Sequence, residues 1–161
     1  MTQAFMLYSS REGISQNKIR FSSDTFRDAD KGLEWYNNSI GKHLSTISTE
    51  PLIYGGYGYW KVRLTDGASF IAYIGSNSTA FFFYSTKSSC EPETFDGKTS
   101  FLFTFYNGKF MISYTPSNNK TLAQLLAGCQ KTNAHERHDC TRLIQVDGWQ
   151  IKDDYPWYGK I

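Results

Sequence analysis

The sequence predicts an α+β domain built on an antiparallel β-meander sheet, and three observations support this prediction. Five runs rich in Phe, Tyr, Val and Ile follow one another between residues 57 and 115, which is typical of strands. Short turn signals separate the runs, and Asn107-Gly108 is the strongest because a type I′ turn needs positive φ at both central positions. Two further segments carry apolar residues at helical spacing. We therefore expect about six to eight strands with two helices packed on the sheet, or alternatively a half-open barrel around the first helix.

The five runs differ in how many of their faces are apolar. Apolar and polar residues alternate in 57–64, which predicts a strand with one buried face. The runs 70–74 and 80–84 are apolar at both parities, as in central strands that are covered on both sides. The runs 101–105 and 110–114 complete the meander. The second face of the sheet must therefore have its own cover.

Helical spacing appears at two places outside the meander. Residues 25–40 carry apolar side chains three and four positions apart. Ser23, Asp24 or Thr25 is the candidate cap of this helix, and Gly41 is its expected stop. Thr121 and Gln124 have the spacing of a capping box, which predicts a second helix running to Cys129.

Two other segments outside the meander are interpreted as extended or turn structure. Residues 142–151 contain two short apolar runs around an Asp-Gly pair, which we interpret as a closing hairpin. The glycines in 55–58 precede a strand and lack the lysine of a phosphate-binding loop. We interpret them as a bend or bulge at the strand entrance.

Composition sets limits on the class of protein. The 161 residues are expected to fold as a single domain, 1–161, with a core of its own. Seventeen basic and fifteen acidic residues give a net charge of +2, too small to indicate a nucleic-acid or anionic membrane partner. No apolar run reaches the ~18 residues that a membrane span requires. The aromatic content of 17% fits a β-rich protein or one with a large contact surface.

Four potential metal ligands lie close together in the sequence: Cys129, His135, His138 and Cys140. Their spacing departs from the recurrent zinc patterns. The preferred interpretation is a Cys129–Cys140 disulfide, which would stabilise the fold by roughly 3 kcal/mol through loop closure. Unlinked thiols and a metal site are the alternatives, and Cys90 is expected to be a free thiol. We predict no metal and no cofactor.

A disulfide favours an oxidising compartment, so we expect a periplasmic or secreted protein in its mature form without a signal peptide. The first residues, Met1-Thr2-Gln3-Ala4, show no basic and apolar pattern of a signal peptide. A cytoplasmic location is the alternative.

One group of residues has the chemistry for acid–base catalysis. His135, His138 and Asp139 could serve a small hydrolase or nuclease, although nothing in their spacing forces them together. An exposed polar loop explains the same residues. The sequence contains no nucleophile elbow and no Walker loop.

Aromatic residues at two places are the candidates for partner binding: Tyr57, Tyr59, Trp157 and Tyr158. Tyrosine and tryptophan are enriched at protein interfaces. We therefore expect a small non-enzymatic protein-binding domain, such as a toxin-neutralising (immunity-type) protein or a periplasmic accessory protein of a bacterium. Its partner would be another protein, a toxin in the first case, and the sequence does not indicate the oligomeric state. The hydrolase or nuclease is the alternative function.

Overall fold

A computed structural model describes residues 28–75, 79–106, 109–111, 119–131, 137–148 and 150–159. Within these ranges the chain forms one antiparallel sheet, three α-helices and one 3₁₀ helix. The helices are α1 (Ala29–Asn38), the 3₁₀ helix (Ile40–His43), α2 (Leu122–Cys129) and α3 (His138–Val146). The strands are β1 (Thr46–Tyr54), β2 (Tyr57–Leu64), β3 (Ser69–Gly75), β4 (Thr79–Ser85), β5 (Ser100–Tyr106) and β6 (Lys109–Met111).

The sheet is an open meander in which each strand pairs with its neighbour in the sequence, in the order β1 to β6. The α+β class and the meander are thus confirmed. Five strands have seven to nine residues, whereas β6 spans only three. The described sheet therefore has fewer full-length strands than the six to eight predicted, and it is not closed into a barrel.

The first strand, β1, was not predicted. Tyr54 pairs with Tyr57, and both residues between them have positive φ, 58° at Gly55 and 80° at Gly56. These glycines form the two-residue turn of a hairpin that right-handed strand twist favours, so their interpretation as a bend or bulge is wrong. Pro51 lies inside β1, and proline within a run argues against a strand unless that strand lies at an edge, as β1 does.

One face of the sheet, the helix face, is covered by α1. Its core contains the rings of Tyr36 and Phe70, whose centroids lie 5.8 Å apart, and the Trp35 and Trp60 rings at 6.3 Å. The helix comes this close because Gly32 has no side chain: a Cβ atom there would lie 2.6 Å from the Trp60 ring.

The boundaries of α1 differ from those predicted. Asp28 caps the helix, since its carboxylate accepts a hydrogen bond from the Lys31 backbone N–H at 3.0 Å. The three candidate caps, residues 23–25, lie outside the described residues. The helix ends at Asn38, and Gly41 belongs to the following 3₁₀ helix rather than stopping α1.

The helices α2 and α3 form a disulfide-linked pair packed on Phe101 of β5. The predicted capping box of α2 is confirmed, with Gln124 N–H donating to the Thr121 hydroxyl at 3.3 Å. The predicted Cys129–Cys140 disulfide is also confirmed, with the Cα atoms 4.7 Å apart.

The predicted closing hairpin is wrong, because residues 138–146 form the helix α3. Cys140, Leu143 and Ile144 are buried and stand three and four positions apart, which is helical spacing. The hairpin was predicted from the apolar residues from 142 onward. Cys140 was therefore not counted as part of a buried helix face. Trp149, part of the expected hairpin, lies outside the described residues.

The disulfide predicts how many thiols will react with an alkylating label. Unreduced protein that is unfolded and alkylated should take up one label, on Cys90, whereas reduced protein should take up three. Replacing Cys129 and Cys140 together by serine should lower the free energy of unfolding by about 3 kcal/mol. Cys90→Ser is the matched control. Three labels before reduction would contradict the disulfide.

Candidate functional site

The face of the sheet opposite α1 has an apolar core of its own. Tyr59, Ile71, Phe83 and Leu102 are buried there, one from each of the strands β2 to β5. Residues 86–99, here called the crossing loop, connect β4 to β5 and bring Cys90 and Phe95 against this core. In the part of the chain that the structure describes, this face is therefore covered by irregular chain rather than by a helix.

The crossing loop is tied to the sheet by a hydrogen bond from a buried tyrosine. The Tyr59 hydroxyl donates to Glu93 Oε1 at 2.8 Å, and the Tyr59 residue is only 1% exposed. Burial raises the pKa of Tyr59, and the hydrogen bond and charge of Glu93 raise it further. Glu93 itself has a φ of 57°, the one left-handed non-glycine backbone among the described residues.

Asp96 orders the end of the crossing loop. Its carboxylate accepts hydrogen bonds from the backbone N–H groups of Lys98, Thr99 and Ser100 at 2.8–2.9 Å. Both hydroxyls of Thr99 and Ser100 donate to it as well. Partial burial alone would raise the pKa of Asp96, but these hydrogen bonds outweigh it and lower the pKa to about 2.

The crossing loop also contacts the disulfide-linked helices. The Phe95 ring lies 4.8 Å from the His138 ring and 6.5 Å from the Phe83 ring. The Tyr155 hydroxyl donates a short hydrogen bond to the Gly97 carbonyl. Gly97 has a φ of 70° and packs on Cys140, where a Cβ atom would clash with the sulfur. The loop therefore joins the sheet to the α2–α3 pair.

The crossing loop leaves part of this face open. We call the open part the tyrosine shelf and define it as Leu52, Tyr54, Tyr73 and Phe81, which pack on the buried Tyr59. Ring centroids follow one another at 6.1 Å, 5.0 Å and 4.8 Å from Tyr54 through Tyr59 and Tyr73 to Phe81. Tyr54 is 47% exposed, and Leu52, Tyr73 and Phe81 are half-buried. The shelf is thus a connected aromatic surface that solvent reaches.

Charged groups flank the shelf on the same face. Glu93 borders it through the hydrogen bond from Tyr59. Lys61 lies opposite Glu50 across the β1–β2 pairing, and Arg63 Nη2 is 3.9 Å from Glu50 Oε1. Glu50 therefore pairs with Arg63, whereas Glu93 takes part in none of the ion pairs formed among the described residues.

The residues predicted to bind a partner are not brought together. Tyr57 is 38% exposed at the β1–β2 turn, next to the shelf. Tyr59 lies in the core beneath the shelf, which corrects its prediction as a surface contact. Trp157 lies under the ammonium of Lys98, 4.0 Å from its ring centroid, close to the start of β5, and Tyr158 follows it. That end of the sheet is about 20 Å from Tyr57 along the strands.

The candidate catalytic residues lie inside the α2–α3 unit. His138 and Asp139 are both buried, and the Asp139 carboxylate is 2.6 Å from the Lys120 ammonium. A Cβ atom on Gly128 would overlap this carboxylate, so α2 closes directly over it. His135 lies outside the described residues. The structure therefore does not present His138 and Asp139 to solvent as a catalytic pair.

A cavity of about 230 Å³ lies under the crossing loop beside Cys90. Burial is the main reason that the pKa of the Cys90 thiol is raised, which makes it a weak nucleophile at neutral pH. Asp96 and the hydroxyls of Thr94, Thr99 and Ser100 line the cavity but bond within the loop. Among the described residues, no three His, Cys, Asp or Glu side chains are grouped to hold a metal ion.

Comparison with known proteins places the chain in a family. Residues 9–158 match a family model described as a family of unknown function, DUF6613. The chain belongs to DUF6613. The match spans nearly the whole sequence, including the sheet, the crossing loop and the disulfide-linked helices of this family member. No curated protein and no solved structure matches the chain. None of the helices described for this DUF6613 chain is long and apolar enough to cross a membrane.

Sequence reasoning missed most of the shelf. Tyr73 and Phe81 lie in runs that are apolar at both parities, so the pattern did not separate the face under α1 from the face under the loop. Nothing in the sequence marked Glu93 as a site residue except its position beside Pro92 in a loop. Tyr54 lies in β1, which was not predicted, and its pairing with Tyr57 is what places it on the shelf.

The ordering role of Asp96 predicts a pH-dependent loss of stability. Because the folded pKa of Asp96, about 2, is below the usual aspartate value of 3.8, the ionised carboxylate stabilises the fold above about pH 4. That contribution is lost as the pH falls through the folded pKa. Asp96→Asn should lower the free energy of unfolding at pH 7 by about 1 kcal/mol after allowance for solvent screening.

Denaturant melts of the variant and the parent at pH 7 and at acidic pH check this expectation. The difference between them should shrink on acidification, and Asp153→Asn, in the exposed tail, is the matched control. An Asp96→Asn difference that stays constant with pH would contradict the proposed role.

Proposed function

We propose that this protein is a non-enzymatic protein-binding domain that holds a protein partner on the tyrosine shelf. The observation that carries the proposal is the group of solvent-reached rings of Tyr54, Tyr73 and Phe81 on one sheet face, which the buried Tyr59 ring connects. Exposed apolar patches with polar borders mark interaction sites. Tyrosine is enriched in the residues that dominate binding energy, because it offers a large rigid surface with one polar end.

Rigidity supports the same conclusion. Tyr73 stacks on Phe81 with the ring planes 9° apart, and the buried Tyr59 supports both Tyr54 and Tyr73 from below. Side chains that are already ordered lose little rotamer entropy on binding. The shelf therefore suits a partner better than a set of separate exposed side chains would.

Side chains rather than strand addition are the proposed mode of contact, and the position of Pro51 supports this. Tyr54 and Tyr57 flank the two-residue turn. From there, hydrogen-bonded and non-hydrogen-bonded cross-strand pairs alternate along β1. Pro51 and Trp60 form a non-hydrogen-bonded pair, so the Pro51 nitrogen points away from β2. The outer edge of β1 thus lacks one donor at its middle, a feature that protects edge strands from pairing.

A toxin-neutralising protein and a periplasmic accessory protein are the two forms of this function that we propose. Both act by binding a protein partner and need no reaction at the site. The disulfide between α2 and α3 supports action in the periplasm or outside the cell, because such bonds persist in oxidising compartments. The burial of His138 and Asp139 gives the hydrolase or nuclease alternative no support from the described residues.

Affinity capture with matched variants tests the proposal. Immobilised parent protein, Tyr54→Ser and Tyr158→Ser are exposed to extract from cells that produce the chain, and retained proteins are compared by mass spectrometry. Tyr54 and Tyr158 are both exposed but lie at opposite ends of the sheet. A partner held by the shelf should bind Tyr54→Ser at least tenfold more weakly, as for a hot-spot residue losing about 2 kcal/mol, and should bind Tyr158→Ser as it binds the parent.

Thermal melts of the three proteins serve as the folding control. Retention of the same partner by Tyr54→Ser, with loss in Tyr158→Ser, would contradict binding at the shelf. Retention of no partner by any of the three would contradict the binding function itself.

A further inference from the structure

We infer that the shelf recognises a protein partner through one cationic side chain, an arginine or a lysine, which lies beside Glu93 and against the tyrosine rings. This inference rests on the proposed function and specifies the chemistry of the partner. It is carried by the position of the Glu93 carboxylate relative to the aromatic rings.

The Glu93 carboxylate lies at the border between the shelf and the crossing loop, beside the tyrosine rings. It accepts the Tyr59 hydroxyl at 2.8 Å. The Tyr59 ring in turn lies 6.1 Å from the Tyr54 ring and 5.0 Å from the Tyr73 ring, centroid to centroid. A carboxylate at this place can accept hydrogen bonds from a guanidinium, which has five donors, or from an ammonium, which has three.

The charge of Glu93 is available to a partner. Its hydrogen bond comes from a neutral hydroxyl, and it joins none of the ion pairs of the described residues. By contrast, Glu50 on the same face is opposite Lys61 and near Arg63. A cation that reaches Glu93 therefore meets a carboxylate that belongs to none of the ion pairs among the described residues, whereas an acidic group at this place would be repelled by it.

The rings beside Glu93 favour the same class of ligand. Tyrosine faces attract Lys and Arg cations, weakly at exposed sites and more strongly when water is excluded. Tyr54 is exposed, and its ring meets that of Tyr59 edge-on at 81°. The long apolar stem of an arginine or lysine could cover the shelf while its charged end reaches the carboxylate. A neutral aliphatic side chain would contact the rings but would not pair with the Glu93 carboxylate.

The backbone of Glu93 supports a binding role for this residue. Its φ of 57° is left-handed, a conformation that is strained for a non-glycine residue. Such outliers persist where the surroundings hold them and cluster at functional sites. Glycine would relieve the strain but would remove both the carboxylate and the hydrogen bond from Tyr59.

A titration with a small probe tests the inference. Isotope-labelled protein is titrated with N-acetyl-arginine amide, and the ring and backbone resonances of Tyr54, Tyr73 and Glu93 are followed by NMR. An ion pair combined with a cation–π contact should give saturable shifts with a Kd on the order of 10 mM. N-acetyl-norleucine amide has a similar stem without the charge and should give no saturable shift.

Two variants make the test specific. Glu93→Gln keeps an oxygen that can accept the Tyr59 hydroxyl but removes the charge, and it should weaken probe binding at least fivefold. Glu91→Gln removes a neighbouring exposed carboxylate from the same loop and should bind like the parent. Thermal melts confirm that both variants fold.

The outcomes separate this inference from the proposed function. Absence of saturable shifts at the shelf, or equal binding by Glu93→Gln, overturns recognition of a cation. If Tyr54→Ser still releases the captured partner in that case, the binding function stands and only the chemistry assigned to the partner falls. If the captured partner is released by Glu93→Gln as well as Tyr54→Ser, and Glu91→Gln retains it, both proposals are supported.

Discussion

The structure depends on one constraint: the central strands of the sheet are apolar on both faces, so each face must be covered. Phe70 and Phe82 face the helix side, whereas Ile71 and Phe83 face the opposite side. Burying apolar surface is the main favourable contribution to folding, about 25 cal/mol per Å². α1 and the disulfide-linked helices cover the first face. Among the described residues, a fourteen-residue loop, 86–99, covers the second face, and it leaves the tyrosine shelf open.

A loop is a poor cover unless its polar groups have partners, and the crossing loop obtains them from a few side chains. Asp96 satisfies three consecutive backbone N–H groups, and Tyr59 holds Glu93 from inside the core. On its other side the loop packs against the disulfide through Gly97. The same contacts that cover the sheet therefore place a carboxylate at the border of an aromatic surface. Folding and the proposed binding chemistry share the Tyr59–Glu93 contact.

Features that local sequence decides were predicted, and features that depend on tertiary packing were not. The meander, the Thr121–Gln124 capping box and the Cys129–Cys140 disulfide all lie within short stretches of chain. β1 was not predicted. A proline such as Pro51 argues against a strand unless that strand lies at the edge of the sheet, and the sequence does not show where the edge is. Tyr57 and Tyr59 share one face of β2 and look equivalent in the sequence, yet a loop more than thirty residues away buries only Tyr59. The site could not be located without that contact.

Hydroxyl-radical footprinting of the folded protein, with oxidation measured residue by residue, tests the central claim that one sheet face is half covered and half open. Tyrosines have similar intrinsic reactivity, so differences among them report exposure. We expect strong oxidation of Tyr54 and Tyr57 and protection of Tyr59, with Tyr158 as an exposed reference. Glu93→Ala, which removes the hydrogen bond of the crossing loop, should increase the oxidation of Tyr59. Protection of Tyr54 equal to that of Tyr59 in the parent protein would contradict the existence of an open shelf.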